Sequence, residues 1–232
     1  MKAISNEEFV QLFDRGGGRF SDLSITGTRF DNCGISLTRN VQRRSTIDNV
    51  SLRDCELMNC AIGPAVITNS TISDIRTGDL QIVWGALFGS TSLSGTCGRM
   101  KIIPQIHDPD CSAADQSAFD AERMAFYANP QNRLDISQVR PALLEIHGVP
   151  GANLTIDREC QCVVSKERWR EAKLSTQDLA VCPPDLRFML EDFIGDSDAA
   201  ELVVVSPTGK SKRAYSPYVE TVKELTSIGV VL

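Results

Sequence analysis

The chain has 232 residues, 42% hydrophobic and 23% charged, which suits one large domain or two small ones and excludes wholesale disorder. No apolar run reaches the roughly 18–20 residues of a membrane-spanning helix, and the opening MKAISNEEF lacks the apolar stretch of a signal peptide. The formal charge of −6 falls wholly on the second half: residues 1–100 hold ten Lys and Arg against ten Asp and Glu, residues 101–232 fourteen against twenty. Neither half has the basic excess that phosphate binding needs, so direct nucleic-acid binding is not expected. A cytoplasmic location is the default expectation, and the eight Cys are then thiols rather than bridges.

Residues 1–17 read as a capping helix. Ser5 with Glu8 three residues on is a capping-box pattern, Phe9, Leu12 and Phe13 supply an apolar face, and Gly16-Gly17-Gly18 ends it.

A five-residue period then takes over. Phe20, Ile25, Phe30 and Ile35 are evenly spaced, and after an interruption the series resumes at Ile47, Leu52, Leu57, Ile62, Ile67 and Ile72. Two residues before each stands a second, mostly small register: Gly18, Leu23, Thr28, Cys33, then Ser45, Val50, Cys55, Cys60, Ala65 and Ser70. A period of five fits neither a helix nor a half-buried strand. It fits a chain that turns a corner every five residues and stacks on itself at roughly 4.8 Å.

The stretch FSDLSI-TGTRF-DNCGI and the later VSLRD-CELMN-CAIGP-AVITN-STISD resemble the pentapeptide-repeat family. The resemblance implies a β-solenoid, a right-handed quadrilateral parallel β-helix with four pentapeptides to a coil, over residues 18–100. It is direct for 18–76, with Ile82, Gly85 and Leu87 as degenerate members beyond. Leu23 and Val50 are larger than the family pattern has at the inner register, and Ser36–Arg44 breaks the phase as a loop.

Beyond residue 100 the period vanishes, and residues 101–232 read as a small α+β domain. Helices are expected at 112–128 behind Ser112 or Asp110, at 136–147, 166–174 and 184–194, and from Ser216-Pro217 to Gly229. Strands are expected at 153–164 and 201–205, followed by a turn through Pro207–Lys210.

Few residues invite chemistry. Cys33, Cys55 and Cys60 fall in the small register as buried hydrophobes. Cys97, His107, Cys111, Cys160 and Cys162 have no common zinc spacing, so neither metal nor cofactor is expected. Any imidazole base must be His107 or His147, the only two. SPTGKS lacks the earlier glycine of a phosphate loop, and the acidic run Asp185–Glu201 reads as a solvated face. The expectation is a non-enzymatic protein–protein interaction protein, bacterial or phage, with Arg39, Arg43 and Arg44 in the interrupting loop as candidate contacts to a protein partner. The same arginines could instead dock on the chain's own acidic second half. The alternatives are an enzyme active site in the C-terminal domain and, as the resemblance implies, a DNA-mimicking modulator of type II topoisomerases. The balanced charge of the repeat disfavours the last.

Overall fold

The computed structural model describes residues 1–195, 199–207 and 211–232. Among these, seventeen strands hydrogen-bond into one mixed sheet that does not close into a barrel. The first half contributes β1 (Lys2–Ser5), β2 (Glu8–Val10), β3 (Arg19–Thr26), β4 (Arg29–Asp31), β5 (Gly34–Ile35) and β6 (Thr46–Arg53). There follow β7 (Glu56–Met58), β8 (Ala61–Ile62), β9 (Val66–Thr68), β10 (Thr71–Trp84), β11 (Leu87–Gly89) and β12 (Thr91–Ile103). Helix α1 (Ala113–Tyr127) precedes β13 (Leu134–Asp135), β14 (Val139–Ile146), β15 (Leu154–Thr155) and β16 (Gln161–Ser165). The chain ends with α2 (Lys166–Glu171), α3 (Pro184–Gly195), β17 (Glu201–Val205) and α4 (Lys212–Ile228).

From β1 to β15 every pairing is parallel, and each strand stacks on chain about twenty residues earlier: Ala3 faces Ser24, Thr46 faces Val66, Leu134 faces Leu154. Each such return is one course of the stack. Two returns are longer. Thr46 lies opposite Arg19, seven residues beyond the usual step, and Thr91 lies opposite Leu134, more than twenty beyond it. Both detours leave the same corner, because Ile35, Ile62, Val83 and Ile102 stack in one column and the detours follow Ile35 and Ile102.

The expected registers are the inward ones. None of the ten large residues is exposed, and Cys33, Ser45, Val50, Cys55, Ala65 and Ser70 of the small register are buried. Leu23 and Val50, too large for that register, lie opposite each other in adjacent courses. The corners carry a signal that the apolar pattern misses. Asp22, Asn32, Asn49, Asp54, Asn59, Asn69 and Asp74 have φ between 49° and 57°, and Gly27 has 63°. Each sits two residues after a large inward residue. Only Gly, Asn and Asp enter this left-handed region readily, so the side chain at the corner decides whether the chain can turn.

Four sequence expectations are corrected. Residues 1–17 form no helix: β1 and β2 make a first course, parallel to β3 and β4. Ile4 and Phe9 already keep the five-residue spacing, and Asn6 and Gln11 turn corners with φ 56°. This course ends the stack with charge: Lys2 and Glu7 stand at the small register and Asp14 at the large one. Asp14 accepts hydrogen bonds from Ser45 Oγ (2.5 Å) and the Ser36 amide (3.0 Å). A charged terminal course suits an edge open to water.

Residues 82 and 87 are displaced from the inward column by one. Val83 faces Ile62 and Phe88 faces Ile67, because the register shifts between Ile75 and Leu80. The segment 136–147 holds β14 rather than a helix. Its buried residues come two apart, Val139 with Pro141 and Leu144 with Ile146, and Pro141 cannot donate to a helical ladder. Parallel stacking therefore runs across residue 101 as far as Thr155. The apolar stretch 153–164 is two strands, with Cys160 and Gln161 amides turning back onto the Asp157 carbonyl between them.

Elsewhere the second half follows its signals. Ser112 and Asp115 form a reciprocal capping box on α1, α3 ends at Gly195, and Gly229 ends α4 with φ 86°. Helix α4 starts earlier than Ser216, at Lys212, with Pro217 inside it. Thr208–Lys210, part of the expected turn, and 196–198 of the acidic run lie outside the described residues.

Strands β16 and β17 form an antiparallel pair, and β17 also pairs antiparallel with the end of β14. Their alternate residues serve two cores. Val163, Val203 and Val205 join the stack's interior with Ile102 and Ile146, while Cys162, Val164, Leu202 and Val204 pack with Trp169, Leu190, Phe193 and Leu225.

The corner geometry gives a test. Asn59 has φ 52°, so Asn59→Val places a β-branched residue in the left-handed region and should cost about 1–2 kcal/mol, whereas Asn59→Gly should stay within about 0.5 kcal/mol. Urea denaturation of the two variants reads the difference.

Candidate functional site

Two groups of polar residues stand out, both on the outside of the column that carries the detours. The first is the loop of the arginines. Asn40 Oδ1 accepts from the Gln42 amide and starts a short 3-10 turn, Val41–Arg43. The loop hugs the stack so closely that a Cβ at Gly63 would lie 2.3 Å from the Ser36 carbonyl. Arg44 points inward, 8% exposed. Its Nη1 donates to the Gly85 carbonyl at 2.8 Å, and its guanidinium lies 4.7 Å from the Phe119 ring centre. Its Nε is 3.0 Å from Glu122 Oε2 of α1, an ion-pair contact whose angle falls short of a hydrogen bond. Burial pulls this guanidinium below its usual value, and Glu122 opposes the shift. Arg39 pairs with Asp110 at 3.1 Å, half exposed, and Arg43 reaches the Gly16 carbonyl from an exposed position. Leu37 and Val41 of the loop join Trp84, Ile106 and Phe119 in a small apolar cluster.

The second group is a row of three ionisable side chains. Lys101 on β12 lies opposite Glu145 on β14, and His147 follows two residues later. Glu145 Oε1 is 2.7 Å from Lys101 Nζ and 2.5 Å from His147 Nε2. His147 is 6% exposed, its amide donates to the Ile102 carbonyl, and its Nδ1 is buried with no hydrogen-bond partner. Beside it Gly148, with φ 81°, presents its carbonyl to Arg123 of α1 at 3.4 Å. Burial alone would raise the Glu145 pKa, but the bonds from His147 and Lys101 outweigh it and hold the carboxyl below its usual value. The sequence flagged His147 only as one of two histidines. Its carboxylate lies two residues away, a spacing that brings side chains to one face of a strand and reads as nothing when the segment is taken for a helix.

The remaining candidates stay apart. His107 is exposed. All eight cysteines carry free thiols. Those of Cys33, Cys55 and Cys60 donate to nearby carbonyls, and burial pushes Cys97 up to about 11 and Cys162 up to about 12. Among the described residues no group of three His, Cys, Asp or Glu could hold a metal ion. No described helix is long and apolar enough to cross a membrane.

A different surface is bare. Along one side of the stack, Ala3, Ser24, Ser51, Thr71, Ser92, Asp135 and Thr155 form one outward column, and Ser5, Thr26, Arg53, Ser73 and Ser94 form another. None of the twelve is buried. An open concavity of about 300 Å³ lies at its edge, lined by hydroxyls of residues 70–71 and 90–92 with Arg133 and Asp135. It contains neither histidine. No protein-family model matches the chain, and no curated protein matches it either.

Two outcomes check these assignments. Arg44→Ala removes a buried cation from Glu122 and Phe119 and should cost about 2 kcal/mol by urea denaturation, while Arg39→Ala should stay within about 0.5 kcal/mol. For Glu145, a depressed carboxylate pKa stabilises the fold above the unfolded value of about 4.3 and ceases to do so as pH falls through the folded value. The urea midpoint should therefore drop more steeply below about pH 4.5 in the wild type than in Glu145→Gln.

Proposed function

We propose that this chain is a pentapeptide-repeat protein, a right-handed quadrilateral β-helix whose far end is sealed by the α+β unit, and that it works as a non-enzymatic interaction protein. The five-residue inward registers, the corners at the same interval and the parallel step of about twenty residues support the architecture. Four strand-and-corner units of five residues account for one such step.

The bare double column carries the functional reading. It is long, flat and almost uncharged, with Arg53 and Asp135 its only ionisable members. A cleft for a small substrate is concave and mostly apolar, and a phosphate-binding surface is basic; this face is neither. A flat, polar, rigid face matches the ordinary composition of a protein–protein contact and loses little entropy when it is covered. The acidic rod that a duplex mimic needs is missing from residues 1–100. Among the described residues one observation favours an enzyme, the His147–Glu145 pair, and no described nucleophile is hydrogen-bonded to it.

The contact is assigned to the bare face because Arg44 of the loop is buried within the chain itself. Thr71→Arg with Ser92→Arg puts two bulky charges in the middle of that face, where both side chains point away from the core. The double variant should melt with the wild type and lose the protein captured from a cell lysate. Retained capture by this variant, with capture lost in Arg39→Ala/Arg43→Ala, would move the contact to the loop.

A further inference from the structure

We propose that His147 is a pH-sensitive latch that holds the β16–β17 ribbon, and with it the C-terminal helices, onto the end of the strand stack. The ribbon's backbone attachment to the stack is short: two residue pairs, Glu145 with Val204 and Ile146 with Val203. The Lys101–Glu145–His147 row sits on the first of these pairs.

Charged groups approach this corner from several described elements. Its own strand supplies Glu145, β12 supplies Lys101, and α1 supplies Arg123, which is paired with Asp120 and reaches the neighbouring Gly148 carbonyl. Strand β17 pairs Val204 with Glu145, and its Glu201 accepts a hydrogen bond from the Gly151 amide. Glu145 is the single carboxylate in the row, and one oxygen, Oε1, takes both bonds.

This arrangement fits a neutral ring with the proton on Nε2. That proton goes to Glu145, and the buried Nδ1 keeps only a lone pair. A second proton makes Nδ1 a charged donor with no acceptor, in a row that then holds two cations against one carboxylate. A buried unpaired donor costs far more than a bare acceptor nitrogen, so the ionised ring must turn toward water. Turning breaks its bond to Glu145 and disturbs the backbone at the two pairs that carry β17. Histidine is the side chain whose ordinary ionisation falls between about pH 5 and 8, which sets the two values to compare.

Hydrogen exchange of the full chain, compared at about pH 7.5 and 5.5 after correction for intrinsic rates, tests this. Both values lie above the carboxylate range, which separates the effect from protonation of Glu145. Amides of residues 143–149 and 201–205 should lose protection about tenfold at the lower pH, while those of β6 and β9 should not change. His147→Gln keeps an amide donor toward Glu145 and cannot ionise, so its protection should be equal at the two values. An equal loss of protection in His147→Gln, or no loss in the wild type, overturns the latch. Should that variant fail to fold, ring NMR of the otherwise native chain decides, with His107→Gln assigning the other resonance. Titration of His147 in step with the β17 amides supports the latch, and titration without any change in those amides overturns it.

Discussion

The structure depends on one backbone constraint. A strand can pair in parallel with its predecessor only if the chain travels round and returns to the same starting line. Here the return takes about twenty residues and contains no crossover helix in its regular courses. The chain must therefore bend sharply several times within twenty residues, and each bend needs a residue that accepts positive φ. Asn, Asp and Gly at residues 22, 27, 32, 49, 54, 59, 69 and 74 meet that need. The inward residues follow from it. With the corners fixed five apart, one large and one small side chain point inward per segment. The stack becomes narrow enough to be filled by Ile, Leu, Cys and Ala, which explains why so few aromatics suffice.

Length added at a corner does not disturb this geometry, because the strands on either side keep their partners. Both large detours leave from one corner, and the chain uses them together. The first brings Leu37, Val41 and Arg44, the second brings Ile106, Phe119 and Glu122, and the two interlock over Trp84. Arg44 donates to the Gly85 carbonyl, at a corner, and stacks on Phe119, so it ties a loop, a helix and the stack at one point. The detours thicken one side of the molecule and leave the hydroxyl-bearing side uncovered.

Much of this was legible in the residues, and what was missed has physical causes. The period of five is visible from Phe20 to Ile72 because every inward position there is filled by a large apolar side chain. It fades at Thr77 to Asp79, where the register slips, and past Ile103, where the α1 detour separates partners by more than forty residues. No periodicity survives such a gap, so the segment behind Asp135, a residue able to cap a helix, reads as helical. The first course hides for the opposite reason. Three of its inward positions are charged, Lys2, Glu7 and Asp14, and Ser5 with Glu8 reads as a capping box instead. Asn6 and Gln11 at five-residue spacing were the clue, since the corner residues persist where the apolar register lapses. The Lys101–Glu145–His147 row was invisible because it joins strands forty-four residues apart.

The far end of the stack poses a problem that charge alone does not solve. An exposed last course would leave backbone groups unpaired and an apolar cross-section in water. The β16–β17 ribbon covers part of it by turning antiparallel to β14, which breaks the parallel sequence and so prevents another identical course from adding there. The cost is that both faces of residues 202–205 must be apolar, one for each core. The ribbon carries two polar anchors of its own: Gln161 Nε2 donates to the Ile136 carbonyl and Glu201 accepts from the Gly151 amide. A third polar group sits at its edge, where Glu145 pairs with β17 and also reaches a lysine and a histidine. The polar row therefore falls where an apolar ribbon meets the outer side of the stack, and the junction's dependence on pH follows from that placement.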